Sequence, residues 1–157
     1  MTKDQRKQLN RFFVKTFNSI LLWEDHALVE SGVKNLSVKE MHVIETVIRM
    51  EPDATNTMSQ IADQLNITVG ALTTAVNTLV QKNYLHRKSD QTDRRLVFVF
   101  ATDSGLQANL LHDQFHNRML DYVSEEINES ELEPLTRSLE QLSLFFESLA
   151  AKETRRK

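Results

Sequence analysis

Cysteine is absent from this sequence, and glycine, proline and long apolar runs are scarce. Without cysteine the chain has no disulfide, no thiolate nucleophile and no cysteine-bound metal, which is typical of a protein in a reducing compartment. No stretch approaches the roughly 18 apolar residues of a membrane span, and the first residues lack the apolar core of a signal peptide. We therefore expect a cytoplasmic protein that does not contact a membrane.

Three glycines and two prolines in 157 residues leave few places for turns, so the composition predicts a mainly helical protein with its own core. The sequence also contains no glycine-rich phosphate loop and no nucleophile elbow. An enzyme is therefore not expected, and no cofactor is required.

The net charge of −3 hides an uneven distribution along the chain. Residues 1–15 carry five Lys or Arg against one Asp, and residues 82–95 carry five against two Asp. Residues 103–150 hold ten acidic side chains and only two Arg. Local positive charge of this kind is compatible with binding nucleic acid, although the total is acidic.

The first two helices are marked by periodicity and by a capping pattern. Residues 5–30 carry apolar side chains at helical spacing, and Gly32 is expected to end this helix. Ser37 and Glu40 form a capping-box pattern, which starts a second helix that is expected to end near Met50.

A helix-turn-helix pattern follows. Thr57 and Gln60 form a second capping-box pattern, and Thr68 can cap the next helix after a short link. Four apolar side chains of that helix are expected to face inward: Leu72, Val76, Leu79 and Val80.

Two short strands are predicted next, at 84–87 and 96–101, around a polar loop at 88–95. Asn83 precedes them and accepts the left-handed conformation that stops a helix. Helix, turn, helix and hairpin in this order form a winged helix-turn-helix, which we assign to residues 37–101. The expected fold class is thus mainly α with a small β-hairpin.

Two long helices complete the chain, one predicted at 103–127 and one that starts at a third capping-box pattern at Ser130. The apolar side chains of the last helix alternate at spacings of three and four: Leu132, Leu135, Leu139, Leu142, Phe146 and Leu149. Such a seam suits a partner helix. We expect a homodimer built from residues 1–32 and 103–150, followed by a basic tail at 151–157.

The helix from Thr68 to Gln81 has an outward face suited to the major groove of DNA. In a helix-turn-helix, early polar residues of the second helix meet base edges. Candidate residues here can form hydrogen bonds, touch a thymine methyl or allow close backbone approach: Thr68, Gly70, Ala71, Thr73, Thr74, Asn77 and Thr78. An ordinary solvent-exposed face would carry more Lys and Glu.

Taken together, these residues resemble the MarR family of bacterial transcription regulators. The resemblance is carried by Ile61-Ala62, Leu65, Thr68, Leu72-Thr73, Val76, Leu79, Tyr84-Leu85, Arg87, Asp93-Arg94-Arg95, Thr102 and Gly105. It implies one MarR-type domain over residues 1–157 that binds a pseudo-palindromic double-stranded DNA operator as a homodimer. Asn83 and Ala101 depart from the family pattern, in which Gly and Leu are usual, but neither is a predicted DNA contact.

The resemblance also implies roles for the wing, which is the hairpin loop 88–95. Arg94 matches the arginine that enters a minor groove, and Asp93 with Arg95 matches the pair that holds the wing. A narrow minor groove concentrates negative potential and attracts an inserted guanidinium. Lys88 and Arg95 are also predicted to contact DNA. The alternative for Lys88, Arg94 and Arg95 is that they are ordinary exposed surface charges.

Within the family, three segments look like the repressors of fatty-acid synthesis genes in Gram-positive bacteria: residues 36–42, 68–74 and 112–119 (HDQFHNRM). This resemblance implies a long-chain acyl group on acyl carrier protein (acyl-ACP) as corepressor, with the acyl chain in an apolar tunnel. Four side chains of the first helix would suit either a tunnel wall or an ordinary core: Phe13, Phe17, Ile20 and Leu21.

An alternative interpretation is a zinc-responsive repressor of metal-uptake genes. His112 and His116 are four residues apart on one helix face, and Glu24 and His42 could add two more ligands. These four positions resemble the zinc-sensing branch of the same family. The same side chains could instead form a metal-free polar network that links the helices.

A further alternative, of a different class, is a winged-helix module whose hairpin contacts a protein. It predicts no salt-dependent affinity for DNA and no loss of binding on Arg94→Ala.

Overall fold

The computed structural model describes residues 1–30, 32–33, 35–93 and 95–154. These residues form six helices and one hairpin: α1 (Lys3–Glu30), α2 (Val38–Met50), α3 (Met58–Gln64), α4 (Val69–Gln81), β1 (Leu85–Ser89), β2 (Val97–Ala101), α5 (Asp103–Glu126) and α6 (Glu129–Thr154). The predicted class, mainly α with a small β-hairpin, is confirmed. None of the described helices is long and apolar enough to cross a membrane.

Side-chain caps start α2 and α3. Ser37 accepts a hydrogen bond from the backbone N–H of Glu40, and the Glu40 carboxylate accepts one from the backbone N–H of Ser37, so the predicted capping box is confirmed. At α3 the reciprocal bond takes another form. Thr57 Oγ1 accepts from the N–H of Gln60 but donates its own proton to Gln60 Oε1. The second predicted capping box is therefore an N-cap with a side-chain bond added.

The helices α2, α3 and α4 share a core with the hairpin. Its most deeply buried side chains are Met41, Ile44, Val47, Ile61, Leu72, Val76, Leu79, Leu85 and Val99. Val80, predicted to face inward, is 37% exposed. Successive helical residues are about 100° apart, so Val80 lies at the margin of the face that Leu79 buries.

The hairpin pairs antiparallel, with Leu85 opposite Ala101 and Ser89 opposite Val97. Both strands therefore begin one residue later than predicted, and β1 runs two residues further into the expected loop. Asn83 has φ +63°, as its predicted helix-stop role requires.

A short segment before α3 supports β2 from the other side. The Val99 N–H donates to the backbone oxygen of Asn56 at 3.0 Å, and Asn56 Nδ2 donates to the Val99 oxygen at 2.7 Å. Asn56 is buried, and Thr57 forms a bridge with Phe98. The base of the wing is thus bonded to the link between α2 and α3, a contact that local sequence patterns did not predict.

The chain forms two compact units, Met1–Phe115 and His116–Lys157. The N-terminal unit holds the helix-turn-helix and the hairpin, and the C-terminal unit holds the end of α5 and all of α6. The assignment of the whole chain to one MarR-type domain stays a prediction. Because α6 continues to Thr154, the first residues of the predicted tail at 151–157 are helical, and residues 155–157 lie outside the described residues.

The start of α6 differs from the prediction of a capping box at Ser130. The helix begins at Glu129, and the Glu131 carboxylate accepts from the backbone N–H and the side-chain amide of Asn128. The Glu131 N–H in turn donates to the Asn128 backbone oxygen at 2.8 Å. Asn128 and Glu131 therefore organise the first turn, and the prediction at Ser130 is wrong.

Large apolar side chains remain exposed on the two terminal helices. On α1 these are Leu9, Phe12, Val14, Phe17, Leu21, Leu22, Trp23 and Val29. On α6 they are Leu135, Leu139, Leu144, Phe145, Phe146 and Leu149. Large apolar side chains exposed in this number on a helix are typical of an interaction surface.

Candidate nucleic-acid interface

The outer face of α4 is polar but carries no charged side chain. Thr68 caps the helix by accepting from the Ala71 N–H at 3.1 Å. Six of the predicted contact residues are exposed and Thr78 is half-buried, so the chain itself leaves this face accessible. Their contacts with DNA stay predictions.

Three threonines of α4 use their hydroxyl protons within the helix. Oγ1 of Thr73, Thr74 and Thr78 donates to the backbone oxygen four residues earlier, at 2.7, 3.3 and 3.1 Å. A carbonyl oxygen can only accept, so each hydroxyl must donate. Each hydroxyl therefore has only acceptor lone pairs left for an outside partner. Such acceptors suit the amino groups of adenine or cytosine, and the threonine methyl suits the methyl of thymine.

Arg87 of β1 lies against the same face of α4. Its Nη1 donates to Asn77 Oδ1 at 2.7 Å, and its Nη2 donates to the Thr73 backbone oxygen at 3.4 Å. Sequence reasoning gave Arg87 no role of its own. The signal was present, because side chains alternate along a strand and Arg87 shares its side with the buried Leu85.

Gly70, in the first turn of α4, has open space beside it. A Cβ there would come near only Thr68 Oγ1, at 3.9 Å. Gly105, at the start of α5, differs sharply, because a Cβ would meet the Tyr84 backbone oxygen at 2.3 Å. Contacts within the described chain explain the glycine at 105 and leave the one at 70 available for approach by an outside partner.

The wing is held by two aspartates. Asp90 accepts hydrogen bonds from the Thr92 hydroxyl and from the backbone N–H groups of Thr92 and Asp93. These hydrogen bonds lower the pKa of Asp90, and the bond from the Thr92 hydroxyl has the largest effect. Asp93 Oδ1 accepts from the backbone N–H of Arg95 at 3.0 Å and from its Nε at 3.2 Å. The structure thus forms the pair that was predicted to hold the wing.

The predicted minor-groove residue, Arg94, lies outside the described residues. Lys88 is exposed on β1 opposite Phe98, and the Arg95 side chain is 92% exposed despite its bond to Asp93. Both cations are accessible to phosphate, and their predicted DNA contacts stay predictions.

A partly buried ion pair joins the start of α2 to the end of α4. Lys82 Nζ donates to both carboxylate oxygens of Glu40, at 2.7 and 2.9 Å. Burial alone would raise the pKa of Glu40, but hydrogen bonds from Lys82 and Ser37 together with the Lys82 charge outweigh it and lower the pKa. This pair fixes the end of α4, and sequence reasoning missed it.

The end of α4 is also bonded to the start of α5. Thr102 Oγ1 donates to the Asn83 backbone oxygen at 2.6 Å and accepts from the Gly105 N–H at 3.2 Å. The Thr102 N–H donates to the Tyr84 oxygen at 3.0 Å. The residue that caps α5 therefore also binds the turn after α4.

Three of the four predicted metal ligands come together in the N-terminal unit. Glu24 Oε1 lies 3.7 Å from Nε2 of His42 and 3.7 Å from Nε2 of His112, and one potential ligand atom from each residue lies within 4.8 Å of the others. Glu24 and His112 are buried, and His42 is half-buried. One carboxylate and two imidazoles form a donor set that fits Zn²⁺. The fourth predicted ligand, His116, belongs to the C-terminal unit.

The four predicted tunnel residues lie on α1. Phe13 and Ile20 are half-buried, whereas Phe17 and Leu21 are exposed. The rings of Phe13 and Phe17 are stacked, with their centroids 6.0 Å apart. In the single chain they form an open apolar surface, and their role in a tunnel stays a prediction.

Comparison with known proteins gives consistent results at the levels of sequence and fold. Residues 34–96 match the sequence profile of the MarR family. The HTH-type transcriptional regulator MhqR of Bacillus subtilis (strain 168) is 30% identical over 142 residues, which cover 88% of this chain and 92% of that protein.

Solved structures resemble the chain over most of its length. Streptococcus pneumoniae FabT in complex with DNA has 32% identity and a TM-score of 0.83, covering 92% of this chain and 99% of that one. The S. aureus MepR–DNA complex has 17% identity and a TM-score of 0.72, covering 88% and 97%. At that lower identity the likeness shows the fold alone.

The family assignment decides between the functional classes. Members of the MarR family are transcription regulators and not enzymes, so the expectation that this chain is not an enzyme is confirmed by its relatives. The same relatives argue against a module that binds only protein. The winged helix-turn-helix, the accessible face of α4 and these matches together show that the chain belongs to the MarR family of DNA-binding transcription regulators.

Proposed function

We propose that this regulator is a homodimeric, cytoplasmic repressor of fatty-acid biosynthesis genes, with long-chain acyl-ACP as corepressor. The observation that carries the proposal is the similarity, at 32% identity over 92% of the chain, to Streptococcus pneumoniae FabT in complex with DNA. The segments at 36–42, 68–74 and 112–119, which resemble repressors of fatty-acid synthesis genes, support it.

The proposed operator contact has two parts. The threonines and Asn77 on α4 read base edges in the major groove, Ala71 touches a thymine methyl, and Gly70 allows close backbone approach. Lys88, Arg94 and Arg95 of the wing contact the backbone and the minor groove, while Asp93 holds Arg95. In a symmetric dimer, the two copies of α4 lie about 34 Å apart, one turn of DNA, and read two half-sites of a pseudo-palindrome.

Exposed apolar surface on α1 and α6 supports the homodimer. Side chains such as Phe12, Phe17, Leu139 and Phe146 are about half exposed in the single chain. A second copy that covers residues 1–32 and 103–150 would remove this apolar area from water, which favours association.

The proposed corepressor has two parts, and α1 offers a suitable surface for each. Phe13, Phe17, Ile20 and Leu21 provide apolar surface for an acyl chain. Four exposed cations recur at every fourth position of the same helix: Lys3, Lys7, Arg11 and Lys15. A row of this kind complements a carrier protein with an acidic surface. A ligand-induced shift of α5 would reach α4 through Thr102 and Asn83, which are hydrogen-bonded.

Operator binding measured in parallel with three additions tests the proposal. In a gel-shift titration, acyl-ACP with a long chain should tighten binding, whereas unacylated carrier protein and zinc should not. The same titration with a chelator should give unchanged affinity. Indifference to acyl-ACP, or a zinc requirement that is lost in His112→Ala, would contradict the fatty-acid assignment.

Zinc sensing is a second candidate, favoured by the convergence of Glu24, His42 and His112 from α1, α2 and α5. These three residues would hold the ion, and His116, the fourth ligand suggested by the sequence, stays a prediction. Bound zinc would supply a divalent cation that links the three helices, and it would require the imidazoles to be neutral. Competition with a chromophoric chelator, together with a zinc-dependent rise in Tm, should then be seen in the native chain and lost in Glu24→Gln. A metal-free polar network predicts neither response.

A further inference from the structure

The hydrogen bond between Arg87 and Asn77 determines which end of the Asn77 amide faces outward. We propose that Arg87 is a positioning residue that fixes this amide with its Nδ2 toward DNA, so that Asn77 reads a hydrogen-bond acceptor on a base edge. The inference rests on the proposed role of α4 as the helix that enters the major groove, and it deepens that role by assigning a chemical preference to one side chain.

The chemistry of the two side chains allows only one orientation. A guanidinium has five N–H donors and no acceptor, so its partner on Asn77 must be the amide oxygen. Nη1 lies 2.7 Å from Oδ1, a distance typical of a charge-assisted hydrogen bond. The oxygen is therefore directed at Arg87, and the two N–H groups of Nδ2 remain for an outside acceptor.

A second contact holds the guanidinium in place. Nη2 of Arg87 donates to the backbone oxygen of Thr73, one turn before Asn77, at 3.4 Å. The guanidinium thus spans a backbone group and a side chain of the same helix. β1 carries Arg87 and pairs along its length with β2, so the hairpin is the scaffold from which the amide is aligned.

The fixed amide changes what Asn77 can recognise. A free asparagine can pair with adenine through two bonds, donating to N7 and accepting from the N6 amino group. With its oxygen directed at Arg87, Asn77 presents the Nδ2 donors outward, and these suit N7 or O6 of guanine, N7 of adenine or O4 of thymine. The back-bonded threonines offer acceptors, so the face of α4 presents both kinds of group at fixed positions.

The competing explanation is that Arg87 contacts a DNA phosphate and leaves Asn77 unaffected. A phosphate contact carries no sequence information, so its loss weakens binding to all DNA sequences alike. The loss also reduces the slope of log affinity against log salt concentration by about one. A positioning role instead changes the base preference at one position of each half-site.

Selection from a randomised duplex DNA library distinguishes the two explanations. The native chain, Arg87→Ala, Arg87→Lys, Asn77→Ala and the double variant would be compared, with Tm measured for each. A base contact discriminates by roughly tenfold or more. We expect Arg87→Ala to lose that discrimination at the single position that Asn77→Ala also affects, with other positions unchanged. Arg87→Lys should restore part of it, and the double variant should behave like Asn77→Ala.

Asn77→Asp provides a matched control that does not depend on the folding of Arg87→Ala. The aspartate keeps an acceptor for Arg87 but has no donor, so it should keep the Tm and lose the preference at the same position. If Arg87→Ala keeps the base preference of the native chain, or loses the same affinity for all sequences, Arg87 does not position Asn77. The role of α4 as the recognition helix would be unaffected by that result. Failure of the native chain to select any sequence would instead overturn the recognition role itself.

Discussion

Gly70 and Gly105 are in opposite surroundings although both lie in the first turn of a helix. Open space surrounds the Cα of Gly70, whereas the Cα of Gly105 faces the backbone oxygen of Tyr84. Glycine in a helix costs conformational entropy. At Gly105 this entropic cost is explained by a close backbone contact within the chain, which a larger residue would prevent. No such contact is found beside Gly70 in the described chain, so close approach to DNA stays a prediction there, with simple tolerance of glycine near a helix end as the alternative.

Alanine at these two positions should have opposite effects on stability. Gly70→Ala should stabilise the free protein by about 0.4–1 kcal/mol, since it meets no clash. Gly105→Ala should destabilise it by about 1–3 kcal/mol, because the new methyl overlaps a backbone oxygen. Urea unfolding measures both. If Gly70 also allows approach to DNA, the more stable Gly70→Ala variant should bind operator more weakly, and unchanged affinity would remove Gly70 from the interface.

The Glu40 carboxylate should make stability depend on pH in a defined window. Its pKa is lowered in the folded state from the ordinary value of 4.5. The stabilisation is therefore fully present above about pH 4.5 and is lost as the pH falls through the lowered pKa. Glu40→Gln should destabilise the protein by about 1–2 kcal/mol at pH 7, since Lys82 and the cap lose a charged partner. The difference from the native chain should shrink below pH 4.5.

Glu45→Gln, on the same helix α2, is the matched control for this measurement. A similar pH-dependent loss in Glu45→Gln would show that general charge effects cause the change, and the specific role of the pair with Lys82 would be wrong.

Sequence reasoning worked for side chains that act on neighbours along the chain. The caps at Ser37, Thr57 and Thr68 were predicted because a cap and its target are three residues apart. The pair of Glu40 and Lys82 and the bond of Asn56 to Val99 join residues more than forty positions apart. Only the packed fold brings such residues together, so local patterns could not reveal them.

At the scale of single elements, the bounds of the helices were predicted best where one strong cap was available. Before α6 the sequence offers two overlapping patterns, one from Asn128 to Glu131 and one from Ser130 to Glu133. Both have the spacing of a capping box, and Asn and Ser are comparable N-caps. Sequence reasoning considered only the second pattern, whereas hydrogen bonds form at the first. Competing starts of similar strength cannot be ranked from local preference alone.

The wing is the element in which two adjacent arginines should differ in function. Arg94→Ala should weaken operator binding by about 1–3 kcal/mol, if its guanidinium enters the minor groove, and should leave Tm unchanged. Arg95→Ala and Asp93→Ala should both loosen the wing, because each removes one partner of the same pair. Only Arg95→Ala also removes a cation that is offered to DNA, so it should weaken operator binding more than Asp93→Ala does. Gel-shift titration at several salt concentrations measures the affinities.

Arg137→Ala serves as a control for the loss of one positive charge, because Arg137 is exposed and pairs with Glu133 on α6. An Arg94→Ala variant that binds as Arg137→Ala does would contradict the role of Arg94 in the groove.

At the scale of the whole molecule, the described chain leaves apolar surface that a second copy should cover. Leu139 is 49% exposed, so a charge there should not disturb the fold of one chain. Leu139→Glu should shift the protein from dimer to monomer in light scattering, because a buried unpaired carboxylate is costly at an interface. Operator affinity should fall with it, since one monomer contacts only one half-site.

Ser143→Glu, an exposed polar position on the same helix, should leave the dimer intact. A dimer that persists in both Leu139→Glu and Phe146→Glu would show that the apolar row on α6 is not the interface.

Because α4 carries no charged side chain, association with random DNA and recognition of the operator should depend on different residues. Association with random DNA is driven by cations that neutralise phosphates, and it allows a protein to slide along the duplex. In this chain such cations lie on the wing and on β1, for example Lys88 and Arg95, and none lies on α4. If α4 reads the operator as proposed, changes among its uncharged residues should redirect the regulator to a new operator while its rate of association with DNA stays the same.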